Sequence, residues 1–240
     1  MSFGIRMIRA AAAASLSVGV CASVAGPAIE PGQYVYVEGG SAHGVLSIHA
    51  NRFTLQTIGG NCHTCSLSGT LDGRAAVATD SGGMCRIALS GDGRRVLKLD
   101  SAGADACRDN CGARASFDGE YRRPPAACAD RQRAARIEQS HRQYAAQDYA
   151  AARATLTAVL SQCAAFMDWI ERDKVKSDLA LAEYHRGDRA RCAAVLADTV
   201  AVQRQKDDAF GLPPCDAENY QSTGKAILHN LALCRAAAKP

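Results

Sequence analysis

Cysteine limits what this chain can fold into more than any other residue. Eleven cysteines are present. Ten lie beyond residue 25: Cys62, Cys65, Cys85, Cys107, Cys111, Cys128, Cys163, Cys192, Cys215 and Cys234. An even number spread over both halves of an exported chain predicts a disulfide framework. The first 25 residues supply the export argument. Arg6 and Arg9 form a positive start, Ala10 to Val20 is an uncharged apolar run, and Ser23-Val24-Ala25 offers small residues for cleavage. The mature chain is expected to begin near Gly26 in the periplasm or outside the cell. A lipid anchor on Cys21 is disfavoured, because the preceding Val20 is not small.

Composition narrows the function. Hydrophobic residues make up 48 %, enough for a packed core. No internal apolar run reaches the roughly 20 residues of a membrane span. The formal charge of +4 is diffuse, with residues 26–127 net zero and residues 128–240 net +2. That excludes the basic field of a nucleic-acid binder.

The chain divides at Pro124-Pro125. Before it, Tyr34-Val35-Tyr36-Val37, Gly44–His49, Arg52–Ile58, Arg86–Ser90 and Arg95–Leu99 have strand character. Phe53, Leu55 and Thr57 fall on one face, with Thr54, Gln56 and Ile58 on the other. Turn signals such as Gly59-Gly60, Asp72-Gly73, Asp92-Gly93 and Asp118-Gly119 recur without a helical stretch between them. Residues 30–123 are therefore expected to form a small antiparallel barrel or sandwich of about eight strands. Ala115–Tyr121 would close it, with Phe117 and Tyr121 as core aromatics. After the prolines, residues 128–238 predict an all-α bundle of about five helices. Residues 128–165 lack Gly and Pro, and Asp148 breaks them in two. Further helices are expected from about Phe166 to His185, from Asp188 to about Lys206, and from about Ala217 or Tyr220 to Ala236. The whole is an α+β chain in two domains.

An internal repeat lies in the helical half. Tyr144 to Leu156 aligns with Tyr184 to Leu196 at an offset of 40 residues. Gly187-Asp188, Tyr184, Cys192 and Leu196 form one copy; Tyr144, Asp148-Tyr149, Ala152 and Leu156 form the other, with Gln147 in place of the glycine. Residues 130–206 thus resemble the helical hairpins of tetratricopeptide repeats. The spacing exceeds the usual 34, and the family's proline is absent after either copy. The resemblance implies stacked hairpins that bind partners rather than catalyse. Tyr144, Trp169 and Tyr184 are candidates for lining a partner groove.

Several constellations suggest chemistry. Cys62-His63-Thr64-Cys65 has the spacing of a redox-active thiol pair, yet it lies between glycines with no helix to lower a thiol pKa. A structural role, bridged to each other or to neighbours, is the better reading. His43, His49 and His63 with Cys62 and Cys65 would suit a metal only if one strand ran regularly through Gly44; exposed strand histidines are expected instead. Ser222-Thr223-Gly224-Lys225 matches Ser-x-x-Lys without the companion motifs of penicillin-recognising enzymes. No catalytic, metal or cofactor residue is assigned. The favoured function is an exported, non-enzymatic protein that binds another envelope or secreted protein. The alternatives are an inhibitor or immunity factor against a cell-wall hydrolase, and a thiol oxidoreductase using Cys62 and Cys65.

Stacked hairpins also predict pairings. Parallel helices would separate Cys163 from Cys192 by roughly 20 Å at 1.5 Å per residue, too far for a bridge. An antiparallel last helix brings Cys234 beside Cys192 and leaves Cys215 at the end of the stack that holds Cys163. The expected pairs are Cys192–Cys234 and Cys163–Cys215; parity then sends Cys128 to one of the five cysteines of the β domain, Cys107 or Cys111 being favoured, which would clamp the two domains. The competitor is Cys128–Cys163.

Overall fold

The structure is a computed structural model that describes Met1 and residues 28–38, 43–78, 83–204 and 209–236. The expected targeting segment with Cys21 lies outside the described residues, Met1 apart.

The N-terminal half is a closed antiparallel barrel: β1 (Gly32–Tyr36), β2 (His43–His49), β3 (Arg52–Ile58), β4 (Thr64–Asp72), β5 (Ala75–Ala78), β6 (Cys85–Gly91), β7 (Val96–Asp100) and β8 (Gly119–Arg122). Each strand pairs with its neighbour in sequence. The ring closes where Val35 meets Arg122 and Tyr36 meets Tyr121. A ring of eight strands leaves an interior that side chains can just fill. Here Tyr34, Leu46, Ile48, Leu55, Ile87, Leu97, Leu99 and Tyr121 fill it. The alternation expected for β3 holds, with Phe53, Leu55 and Thr57 buried and Thr54, Gln56 and Ile58 exposed. Phe117 and Tyr121 are both core residues, and the Tyr121 hydroxyl donates to the Phe117 carbonyl at 2.8 Å. Gly69 lets the nine-residue β4 bend from β3 to β5: a Cβ there would sit 1.9 Å from the Val77 carbonyl oxygen.

The barrel half is not free of helix, contrary to the sequence expectation. A single turn, α1 (Asp105–Arg108), interrupts it. Its Cys107 is buried and bonded to Cys85, which pins the turn against β6.

The second half contains α2 (Asp130–Ala145), α3 (Tyr149–Cys163), α4 (Trp169–His185), α5 (Arg189–Leu196), α6 (Val200–Gln203) and α7 (Pro214–Arg235). The 40-residue repeat is visible bond for bond at its turns. Gln147 and Gly187 both adopt positive φ, 59° and 84°. The amides of Asp148 and Asp188 donate to the carbonyls of Gln143 and Glu183 at 2.9 and 3.0 Å; those of Gln147 and Gly187 donate to Tyr144 and Tyr184, both at 2.9 Å. This pair of bonds is the Schellman ending of a helix. Asp148 and Asp188 then cap the next helices, each side chain accepting from the amide three residues on. Ala152 and Cys192, and Leu156 and Leu196, are all buried.

The fourth predicted helix does not run unbroken to Lys206. It stops at Leu196 and restarts at Val200 as α6. Buried Asp173 on α4 catches the chain there. Its Oδ2 accepts from the Val200 amide at 2.8 Å and from the Tyr220 hydroxyl at 2.7 Å, while the same hydroxyl accepts from the Ala201 amide at 2.9 Å. Burial pushes the Asp173 carboxyl above its ordinary range, against the pull of those two donors. The last helix also begins earlier than expected, with Pro214 at its first position, where a missing N–H costs nothing.

Five disulfides tie the fold: Cys62–Cys215, Cys65–Cys111, Cys85–Cys107, Cys128–Cys163 and Cys192–Cys234. The antiparallel return of α7 along α5 gives Cys192–Cys234. The expected Cys163–Cys215 bridge does not form, because sharing an end of the stack is not adjacency: α4 stands between α3 and α7. Cys128 does not reach Cys107 or Cys111 either. It sits in the turn Ala126–Cys128, where the start of α2 meets the end of the antiparallel α3, and bonds Cys163 at a Cα separation of 5.2 Å. The halves are still clamped, by a pair the sequence did not suggest, Cys62–Cys215.

Two substitution sets test this account. Gly187→Val should cost about 1 kcal/mol or more, whereas Gln147→Gly should gain up to about 1 kcal/mol by relieving a left-handed non-glycine residue; thermal melting reads both. Asp173→Asn keeps an acceptor for Val200 and Tyr220 and should stay within about 1 kcal/mol of wild type. Asp173→Ala strands two buried donors and should cost about 2–4 kcal/mol in urea denaturation.

Candidate functional site

The site grows from the loop between β3 and β4. Asn61 and Cys62 are consecutive non-glycine residues at φ 57°. Such a conformation persists only when surrounding contacts fix it, and here α7 supplies them. The Asn61 amide donates to Asp216 Oδ2 at 2.8 Å, and Asn61 Oδ1 accepts from the Cys215 amide at 3.0 Å. The first amides of a helix have no partner within it. A barrel residue therefore caps a helix of the other half, and Asp216 places its negative charge in the first turn, where the helix dipole favours it. The Cys62–Cys215 bridge closes beside this exchange, with Cα atoms 5.9 Å apart. Asn219, one turn on, donates through Nδ2 to Cys62 Sγ at 3.2 Å and to Cys215 Sγ at 3.7 Å.

A cleft of about 460 Å³ opens next to this latch. Its walls come from both halves: His43, Ile58 and Cys62 from the barrel, Trp169, Lys174 and Asn219 from the helices. Across Trp169 lies a second cleft of about 410 Å³, with Leu212, Pro213, Arg172 and Arg204 among its walls. Trp169 is half-buried and rests on Tyr220 at a centroid distance of 4.8 Å. Ile58 is one of the few exposed large apolar side chains among the described residues. At the cleft's edge, Arg133 holds Glu171 through two bonds of 2.8 and 3.0 Å and also donates to the Cys128 carbonyl at 2.8 Å. Burial lowers the His43 pKa, against the pull of the Asp168 carboxylate. The imidazole is thus held toward its neutral form.

Other predicted groupings separate. Cys62 and Cys65 belong to different bridges, so the Cys-x-x-Cys spacing does not close on itself. His43 and His49 stand at opposite ends of β2, opposite Ile58 and Arg52 on β3, and His63 packs against Gly112. Ser222 and Lys225 are both exposed on α7. The proposed groove divides as well. Tyr144, Tyr149 and Tyr184 gather around His185 at the hairpin turns, with centroids 5.5, 4.7 and 5.2 Å from its ring. Trp169 occupies the first turn of α4 and Tyr184 the last. Fifteen residues of helix hold them roughly 22 Å apart.

Asn61, Asp216 and Asn219 were missed in the sequence. The available signals were a polar residue beside Gly59-Gly60 and an acid in the first turn after Pro213-Pro214. Neither says that the two meet across 155 positions.

No known protein family, curated protein or solved structure matches the chain. What can be said of the class rests on its own architecture: a disulfide-tied α+β chain, a barrel followed by helical hairpins, with a latched cleft between them.

Asn61 separates the two parts of the latch. Asn61→Gly removes the cap but relieves the backbone, and should cost less than about 1 kcal/mol. Asn61→Ala loses the cap and keeps the strain, and should cost about 1–2 kcal/mol. Denaturant midpoints should rank wild type, glycine, alanine in that order.

Proposed function

We propose that this is an exported, non-enzymatic interaction protein that binds another protein of the cell envelope or extracellular space. The observation that carries the reading is the latched cleft with Trp169 between its two chambers. A half-buried tryptophan flanked by Ile58, Leu212 and Pro213 has the make-up of an interface anchor, in which one aromatic dominates and its surroundings exclude water. A covalent bridge and a trans cap hold the walls, so little ordering cost remains to be met on binding. The two hairpin turns, matched in hydrogen bonds and caps, support a tetratricopeptide-like bundle, whose stacked hairpins present surfaces to partners. Five disulfides suit an oxidising compartment. Among the described residues no helix is long and apolar enough to cross a membrane. Export is proposed on the Arg6/Arg9, apolar-run and Ser23-Val24-Ala25 order.

The test uses the mature chain as bait in an envelope extract, beside Trp169→Ala and Ile58→Glu. A partner should be retained by wild type and lost, by about tenfold or more, with Trp169→Ala, as expected of a hot-spot residue. Equal recovery by all three proteins places the binding surface elsewhere. Rapid turnover of a disulfide substrate would instead favour the oxidoreductase reading.

A further inference from the structure

The geometry points to the Cys62–Cys215 bridge as a thiol-exchange site: an incoming thiolate attacks Cys62 Sγ, and Cys215 leaves as the thiolate. Three independent features single it out. The first is access. Both of its cysteines are partly exposed, whereas each of the other four bridges has at least one fully buried cysteine: Cys65, Cys85 with Cys107, Cys128 with Cys163, and Cys192 with Cys234. The second is the approach. Cys62 lines the 460 Å³ cleft, whose mouth gives a nucleophile a route to that sulfur. Cys215 is not part of its lining.

The third is polarity. Exchange is faster when the departing sulfur is the better thiolate. Cys215 lies in the first turn of the 22-residue α7, where the helix dipole stabilises negative charge. Asn219 Nδ2 stands 3.2 Å from Cys62 Sγ and 3.7 Å from Cys215 Sγ, so it can donate to whichever sulfur departs, and the choice between them falls to the charges. Cys62 lies outside any helix terminus, and Asp216 Oδ1 stands 3.9 Å from its Sγ, where a carboxylate opposes a thiolate on that sulfur. Both charges favour Cys215 as the departing thiolate, and the cleft gives the nucleophile its access to Cys62.

A thiolate R–S⁻ forms a bond to Cys62 Sγ, the Cys62–Cys215 bond breaks, and its electron pair goes to Cys215 Sγ. A second thiol of the same reductant then attacks the adduct sulfur and releases Cys62. The reductant, a dithiol or two monothiols, is oxidised to its disulfide, and the bridge gains two electrons. Because Cys62–Cys215 is the one bridge among the described residues that joins barrel to helices, exchange here releases the covalent tie and leaves both halves internally stapled.

The mature oxidised protein is incubated with limiting reduced glutathione, quenched with N-ethylmaleimide and mapped by mass spectrometry. Glutathione should appear on Cys62 with maleimide on Cys215, at least about tenfold faster than at any other bridge, since exchange follows access and leaving-group pKa. Asn219→Ala should slow this exchange severalfold and leave the other bridges' rates unchanged. Glutathione on Cys215, earlier opening of another bridge, or simultaneous opening of all five would overturn the assignment.

Discussion

Strand β1 is buried on both faces, and the arrangement of the rest follows from that. Tyr34 and Tyr36 point into the barrel, and the Tyr34 hydroxyl lies within hydrogen-bond distance of the Glu30 and Gly93 carbonyls, with one proton to donate to either. Val35, between them, points outward and packs with Cys128, Leu156, Val159, Cys163, Phe166 and Met167. One strand therefore closes the ring with β8 and supplies the floor on which the first helical hairpin sits. The helical half in turn covers apolar barrel surface that would otherwise meet water. Burying one valine and its partners in this way stabilises by about 1.5–3 kcal/mol per side chain, enough to orient the halves.

The latch then fixes what that packing leaves free. Four bridges close loops of 22 to 46 residues within a half, and Cys62–Cys215 spans 153. In the chain-entropy view, closing a loop that long removes up to about 5 kcal/mol of unfolded-state freedom, reduced by the bridges nested inside it. The polar part of the junction serves a different end. Asn61 and Asp216 exchange bonds so that the β3–β4 loop is held at positive φ and the first amides of α7 are met by an acceptor. A strained loop and an uncapped helix end each carry a cost alone. Placed against each other, they offset it.

Much of this was legible in the sequence, and the boundary is a physical one. Alternation in β3, the Phe117 and Tyr121 closing segment and the paired hairpin turns depend on neighbours in sequence, so local pattern sufficed. Tyr34-Val35-Tyr36-Val37 was recognisable as strand, whereas its burial on both faces depends on Val35 meeting the helical half. The break at Leu196 was hidden, because Asp173 and Tyr220, which cause it, lie 27 and 20 residues from Val200. The disulfides divide on the same line. Cys192–Cys234 followed from one antiparallel helix pair, whereas Cys62–Cys215 needed the mutual placement of barrel and bundle, which no helix geometry contains.

That placement also explains why the cleft lies at the junction rather than within either half. The barrel interior is filled by its own side chains, and the hairpins pack α4 between α3 and α7. Each half thus spends its apolar faces on itself, apart from the strip around Val35. Among the described residues the halves are joined at that strip and at the latch. Between these two points the barrel's outer wall, at His43 and Ile58, and the start of α4, at Trp169, face each other without interlocking. A curved barrel wall touching a bundle at two places must leave concave space between them. Concave surface at a domain boundary, apolar with a few convergent polar groups, is where ligands and partner side chains bind. The contacts that orient the halves therefore also shape the cleft, so the Cys62–Cys215 bridge belongs to the architecture and to the site at once.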